Sequence, residues 1–568
     1  MKPPPTEGTR ARSRLLWGLA ILAVGAGGVG LGIAPTRSGG QQQGAPSERV
    51  SPGGAEEQDG RLGGDAETPV AEAVVPASPV PAAPAPVGPE VEELRRAIDG
   101  VLAGGRFWRR AEWSVLVVSL DRGDTLYARN PGLALAPASN MKLITTAAAL
   151  YHLGPDFRYL TYVLADGPVE GGVLQGDLVL YGTGDPALSD RFFGSETEVF
   201  ENLTDQLREA GIQAVAGDLV GDGSYFHGPA VEASWDPRDI NEWFAAPVSA
   251  LSYNENMVAL RVEPAAWVGA PPRIQTVPRA AGVPIVNDAR TVGAPPEAYR
   301  RLAVVRQTHE EPIRVVGEIA AGHAEVWREM SVSDPPHYAA TLFHDVMVDR
   351  GIEVYGRVRS VHAAEESIVE GAALWAPGFG RMGAPAVVAA HQSPPLLDLL
   401  SVVNKESHNL FAESVLRSVG AVARGNPSFV GGVSAVRDFL TGRVGLPIDA
   451  VIQKDGSGLS SENRASAESF VTMLAYMAAS DHWEAFWTTL PEAGRRGELP
   501  RMYRSAAAGN LRAKTGTIEG VSSLSGVVRS ASGERLAFSI IVNGVPSTWR
   551  AKRLEDRIGI SLAQFTRP

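Results

Sequence analysis

Cysteine is missing from all 568 residues. That excludes disulfides, thiol redox motifs, thiolate zinc sites and a lipid-modified cysteine near the N-terminus. Metal chemistry has little else to build on, because the ten histidines are scattered and show no His-Glu-x-x-His or comparable ligand spacing. No metal and no organic cofactor is expected. Positive charge is in deficit too: 52 Lys and Arg stand against 64 Asp and Glu, a net charge of -12, so nucleic acid is not an expected partner. Aromatic residues are missing from one long stretch, 35–89, which holds ten prolines. Such a stretch cannot bury enough surface to fold and reads as a disordered tether, reaching roughly 40 Å as a coil.

Charge is absent again from Leu15 to Ala34, a run preceded by Lys2, Arg10, Arg12 and Arg14. As a helix this run is about 30 Å long, enough to span a bilayer, with the basic flank inside and the rest of the chain outside. It reads as an export signal. Six glycines weaken it as an anchor, yet no small-x-small cleavage site closes it, so residues 1–34 are a signal peptide or a membrane anchor.

With 44% hydrophobic and 20% charged residues, the remainder is globular. It is organised around Pro137-Ala138-Ser139-Asn140-Met141-Lys142, at the head of the apolar run Leu143 to Leu150 that ends at Gly154. The spacing predicts a helix on which Ser139 and Lys142, three apart, share a face. A hydroxyl beside an amine is a nucleophile beside its base, provided the amine is neutral. That requires a downward pKa shift of about 3 units, near 4 kcal/mol, which burial and a neighbouring cation can supply. The plain alternative is a helix-capping serine followed by a solvated lysine.

Elsewhere, Val91, Leu94, Ile98 and Val101 fit one helix face, and Ser114–Leu120 with Thr125–Ala128 reads as a β-hairpin. The 264 residues between Lys142 and Ser407 are mostly strand-like. Two helices interrupt them, one through Val199 to Leu207 and one from Tyr338 to a stop at Gly351. Beyond about residue 388 helices are expected at 396–403, 409–419, 433–439 and 466–478. A strand from Arg512, a hairpin through Ser532-Gly533 and a closing helix at 548–565 end the chain. First and last segments are expected to form one domain, 90–157 plus 388–568, interrupted by inserted β-rich domains at 158–387.

Two further motifs belong with the first. Ser407-His408-Asn409 lies between helices, and Lys514-Thr515-Gly516-Thr517 opens the last strand region. Ser-x-x-Lys, Ser-x-Asn and Lys-Thr-Gly in this order form a known catalytic set. Ser139 would attack an amide carbonyl, Lys142 accept its proton, and Ser407 relay a proton to the leaving amine. Asn409 would hold Lys142 or the substrate amide by its carbonyl. Lys514, Thr515 and Thr517 would grip a substrate carboxylate, and Gly516 would let the strand approach the substrate. Backbone N–H groups of Ser139 and Thr517 would form an oxyanion hole, worth about 3 kcal/mol per donor.

From about residue 92 to the end, with Gly176-Asp177-Leu178, Gly184-Asp185-Pro186, Leu251 to Asn256, Asn404-Lys405, Ala412-Glu413 and Asp455 to Ser460, the chain resembles the serine D-alanyl-D-alanine carboxypeptidase and endopeptidase family, the class C low-molecular-mass penicillin-binding proteins. The resemblance implies an α/β (α+β) penicillin-recognising transpeptidase-like domain, an antiparallel sheet with helices on it, carrying inserted β-rich domains. It also implies action on peptidoglycan stem peptides and crosslinks through an acyl-enzyme, inhibition by β-lactams, and a periplasmic or other extracytoplasmic location. The alternatives are a β-lactamase and a non-catalytic peptidoglycan-binding protein. One position departs from the family: His408 stands where aspartate is usual, and its side chain either points away from the substrate or adds a titration near neutral pH. Lys405 is either a surface lysine or a partner to the site. Asp455 to Ser460 is either a tight turn or a substrate wall, and Asp185-Pro186 and Asn254 to Asn256 read as structural.

Overall fold

The computed structural model describes residues 88–103, 108, 110–279, 283–293, 301–309, 311–369 and 385–568. The expected export segment 1–34, and all of the expected tether 35–89 except its last two residues, lie outside the described residues.

Chain beginning and chain end build one five-stranded antiparallel sheet. Its spatial order is Thr125–Arg129, Glu112–Ser119, Arg535–Asn543, Val521–Arg529 and Arg512–Ile518. Alternation along the strands divides the side chains between two faces. Leu116, Val527, Ala537 and Ile541 enter a core with helices Met141–His152, Asn409–Arg424, Phe429–Phe439 and Ala467–Ala478. Val115, Val117, Leu524, Phe538 and Ile540 face the other way, onto helices Pro89–Leu102 and Thr548–Gln564. Residues 141 to 150 are buried all round. An apolar helix of this kind, small at Ala147, Ala148 and Ala149, belongs in the middle of a domain.

The expected helix 396–403 is shorter. It ends at Ser401, and a π-helical turn, Val402–Glu406, delivers Ser407 in a left-handed conformation with φ +61°. Such turns concentrate at functional sites because they re-aim the residue that follows. A short helix, Trp483–Thr489, was not expected from the sequence.

The intervening chain forms a five-stranded mixed sheet ordered Val358–Val361, Leu219–Asp222, Asp177–Gly182, Leu160–Asp166 and Ala386–Gln392, with smaller sheets of three, three and four strands beside it. Helices Glu198–Glu209 and Pro335–Asp349 pack in its apolar core. The boundary expected at 388 falls inside strand Ala386–Gln392, which pairs with Leu160–Asp166. This inserted sheet therefore closes at Gln392, and the chain returns to the layers around the first sheet with helix Leu396–Ser401.

Candidate active site

Ser139 stands in a single 3-10 turn, Ala138–Asn140, that runs straight into helix Met141–His152. The α-helix thus starts two residues later than the spacing suggested, and the entry is tight: Ala138 takes φ +48°, a left-handed conformation costly for a residue with a side chain. Two glycines from distant parts of the chain press on this turn. A Cβ at Gly458 would lie 1.9 Å from Ala138 O, and one at Gly516 would lie 2.6 Å from Pro137 O and 3.1 Å from Ser139 N. Gly516 therefore serves a closer purpose than the one expected of it. It lets strand Arg512–Ile518 close on the turn that carries Ser139.

Lys142 is fully buried, and its Nζ sits on a tripod of acceptors: Ser139 Oγ at 3.0 Å, Asn409 Oδ1 at 2.6 Å and the backbone carbonyl of Ser457 at 2.7 Å. The Asn409 amide is oriented by its other end, where Nδ2 donates to Phe244 O at 2.8 Å. Asn409 Oδ1 and the Ser457 carbonyl only accept. A neutral amine gives them its two hydrogens and is left with its lone pair towards Ser139 Oγ. Burial pulls Lys142 down to about 7, against the opposing charges of Asp455 and Glu413.

Opposite, Lys514 Nζ donates to Ser407 Oγ at 2.9 Å and to Thr515 O at 2.9 Å. Burial first, and the charge of Lys142 second, hold Lys514 well below the usual lysine range. A carboxylate entering beside it would restore its charge. Ser407 Oγ is thus bonded to Lys514, on the side of the site opposite Lys142. Strand Arg512–Ile518 is the sheet's edge, so Thr515, Gly516 and Thr517 lie on an edge beside the Ser139 turn, the position at which an extended peptide can add as a strand.

The segment 455–460 proves to be a clamped turn. Asp455 Oδ1 accepts from Gly458 N and Asn463 Nδ2, and Oδ2 accepts from Ser460 N and Trp235 Nε1. Glu413 Oε1 accepts from Ser457 N at 2.8 Å. Burial and the charge of Asp455 push Glu413 up to about 7, with Arg417 opposing. Glu413, Ser457 and Phe244 were not among the expected site residues. Two of them act through backbone groups, which carry no side-chain signature. Glu413 was within reach, as an acid one helical turn after Asn409 on a buried face.

His408 turns away from the amine. Its Nε2 lies 2.8 Å from Glu255 Oε2, and its ring packs edge-on against Phe411 and Trp243. Burial would raise Glu255, but His408 and then Arg191 more than offset it and keep the carboxylate ionised. The segment 254–256, read as structural, thus joins the inserted part to the Ser407 turn. We expect the pH–rate profile of acylation to keep its shape in His408→Asn, while the melting temperature falls because Glu255 loses a partner, a cost of about 1–3 kcal/mol. A displaced limb in that profile would assign His408 a part in proton transfer. Lys405 pairs with Glu498 at 3.5 Å and is not a partner of Lys142 Nζ, whose three bonds are given above.

A hydroxyl bonded to a buried amine that is readily neutral, beside a strand edge, is the arrangement of a serine hydrolase. The family is given by comparison: the chain belongs to the D-Ala-D-Ala carboxypeptidase 3 (S13) family, whose model matches residues 94–564. The D-alanyl-D-alanine carboxypeptidase of an Actinomadura species is 33% identical over 84% of this chain and 86% of that protein. D-alanyl-D-alanine carboxypeptidase DacB of Haemophilus influenzae is 27% identical, over 75% and 84%. The crystal structure of penicillin binding protein 4 from Haemophilus influenzae matches with a TM-score of 0.66 at 25% identity, covering 82% of this chain and 97% of that one. The fold is that of a penicillin-binding protein of this family, and the chain is a serine peptidase.

Proposed function

We propose that Ser139, Lys142, Ser407, Asn409 and Lys514 carry out the D-Ala-D-Ala carboxypeptidase reaction on peptidoglycan stem peptides, and D,D-endopeptidase cleavage of their crosslinks, through an acyl-enzyme on Ser139. The observation that carries this reading is the tripod at Lys142 Nζ, with Asn409 Oδ1 and the Ser457 carbonyl taking two hydrogens and Ser139 Oγ facing the third direction. Ser139 Oγ attacks the D-Ala carbonyl and its proton passes to Lys142. The oxyanion gathers on the backbone N–H groups of Ser139 and Thr517, in a site where charge is poorly screened. A proton delivered through Ser407 to the departing nitrogen lets the C–N bond break, and water then opens the Ser139 ester. Lys514, Thr515 and Thr517 hold the substrate's terminal carboxylate.

The same chemistry makes β-lactams inhibitors, because their ring amide opens onto Ser139 and leaves an ester. A long-lived penicillin adduct separates this reading from a β-lactamase, which would turn the drug over. A non-catalytic binding protein would have no reason to keep the tripod. The substrate puts the enzyme outside the cytoplasm, in the periplasm or its equivalent, and residues 15–34 fit the signal or anchor that takes it there. Among the described residues no helix is long and apolar enough to cross a membrane. The discontinuous domain, 90–157 plus the chain after Gln392, agrees with the shared sheet, and residues 158–392 are the insertion.

The test is mass spectrometry of purified cell-wall fragments after incubation with the enzyme. Pentapeptide stems shortened by their terminal D-Ala, or crosslinked dimers split at the D,D bond, are expected. Fragments left unchanged by an enzyme that penicillin acylates at Ser139 would overturn the substrate assignment.

A further inference from the structure

Neither acceptor beneath Lys142 stands alone, and both are braced from the inserted part of the chain. Behind Asn409 lies Phe244 O, in the 3-10 turn Trp243–Ala245. Behind the Ser457 carbonyl lies the turn organised by Asp455, whose Oδ2 takes a hydrogen bond of 3.0 Å from the indole Nε1 of Trp235. The braces form one unit. Trp235, Phe226, Ala245 and Val248 share an apolar cluster with Leu410, next to Asn409, and Phe244 and Leu459 pack against it. The far side is fastened as well: Arg306 donates to Ile240 O, and Asn241 Nδ2 donates to Arg306 O at 2.9 Å.

We propose that the inserted segment completes the catalytic centre, with Trp235 as a positioning residue that sets the Asp455 turn and through it the proton affinity of Lys142. This rests on the function proposed above. Trp235 touches neither Ser139 nor Lys142, so its effect passes through Asp455. The indole N–H is one of four donors on that carboxylate. Each donor draws charge density away from Lys142, and removing one leaves Asp455 a stronger attractor of the ammonium. The charged groups facing this cluster are Lys142, Lys514, Glu413, Arg417 and Glu232. Arg417 bonds Glu232 at 3.0 Å, and Asp455 and Glu413 act on Lys142. Among these Trp235 contributes a neutral donor, so its removal changes no formal charge.

The experiment is the pH profile of acylation by a fluorescent penicillin in Trp235→Phe, which keeps an aromatic ring in the cluster and deletes the N–H. The acid limb is expected to move to higher pH by about half a pH unit, with the plateau at high pH within about threefold of wild type. A limb superimposed on wild type, or a uniform loss at every pH, would overturn the positioning role. Should Trp235→Phe fail to fold, Trp235→His tests the converse. Its five-membered ring matches the pyrrole half of the indole and keeps an N–H in that place, and any proton the imidazole gains beside Asp455 can only lower the limb, so the limb should stay put or fall, and an upward shift would overturn the proposal. Failure of the wild type itself to become acylated would instead count against the function proposed above, so the two failures are distinguishable.

Discussion

Ser139→Ala is expected to abolish the covalent penicillin adduct, at every pH and incubation time, in the intact-protein mass spectrum. Of the three residues bonded to Lys142 Nζ, only Ser139 is partly exposed, the other two being buried. Asn409 Oδ1 is an amide oxygen, and the Ser457 carbonyl is committed to the backbone. Loss of the nucleophile leaves only oxyanion stabilisation and binding, and peptide hydrolysis should fall by on the order of 10⁵-fold. Folding should be little affected, because alanine keeps the Cβ inside the strained turn and the loss is one partly exposed hydrogen bond, about 1 kcal/mol. Adduct formation at the wild-type rate would exclude Ser139 as the nucleophile.

Two of the three motifs were legible because a helix or a strand carries or adjoins them, while Ser407, in a left-handed turn, was legible only by its order between the other two. Helical spacing predicted the Ser139–Lys142 contact, and strand character put Lys514 to Thr517 on one strand. The shared sheet of chain beginning and chain end was readable for a similar reason, as short apolar runs at Ser114–Leu120 and Ala537–Val542 next to turn residues. Less could be read where the backbone does the work. The Ser457 carbonyl and Phe244 O would serve with almost any side chain at those positions. The purpose of Gly458 and Gly516 shows only once Ala138 and Ser139 lie against them. The return point at Gln392 was missed because strand Ala386–Gln392 pairs with a partner more than two hundred residues earlier in the chain, and local pattern says nothing of so distant a neighbour. His408 could be read either way until Glu255 supplied its partner.

Lys142→Met should lower acylation by about 10³-fold, the usual worth of a well-placed general base, and also remove its dependence on pH. In the wild type the rate should rise as Lys142 loses its proton around pH 7 and level off above. Methionine has about the same length and packs in the same buried channel, but offers no lone pair to Ser139, so the residual rate should be flat across that range. The substitution also separates catalysis from stability. Folded Lys142 titrates at about 7 and the unfolded side chain near 10.5, so between these values the unfolded state binds a proton that the folded state lacks. Stability therefore rises with pH across that window, and below about 7 the burial cost is present in full, on the order of 5 kcal/mol. In Lys142→Met the part of that slope due to Lys142 disappears while the part due to the buried Lys514 remains, so the plot of melting temperature against pH should become shallower between about 7 and 10.5. An unchanged slope would mean that Lys142 stays charged in the folded enzyme, and a charged Lys142 could not be the base that accepts the Ser139 proton.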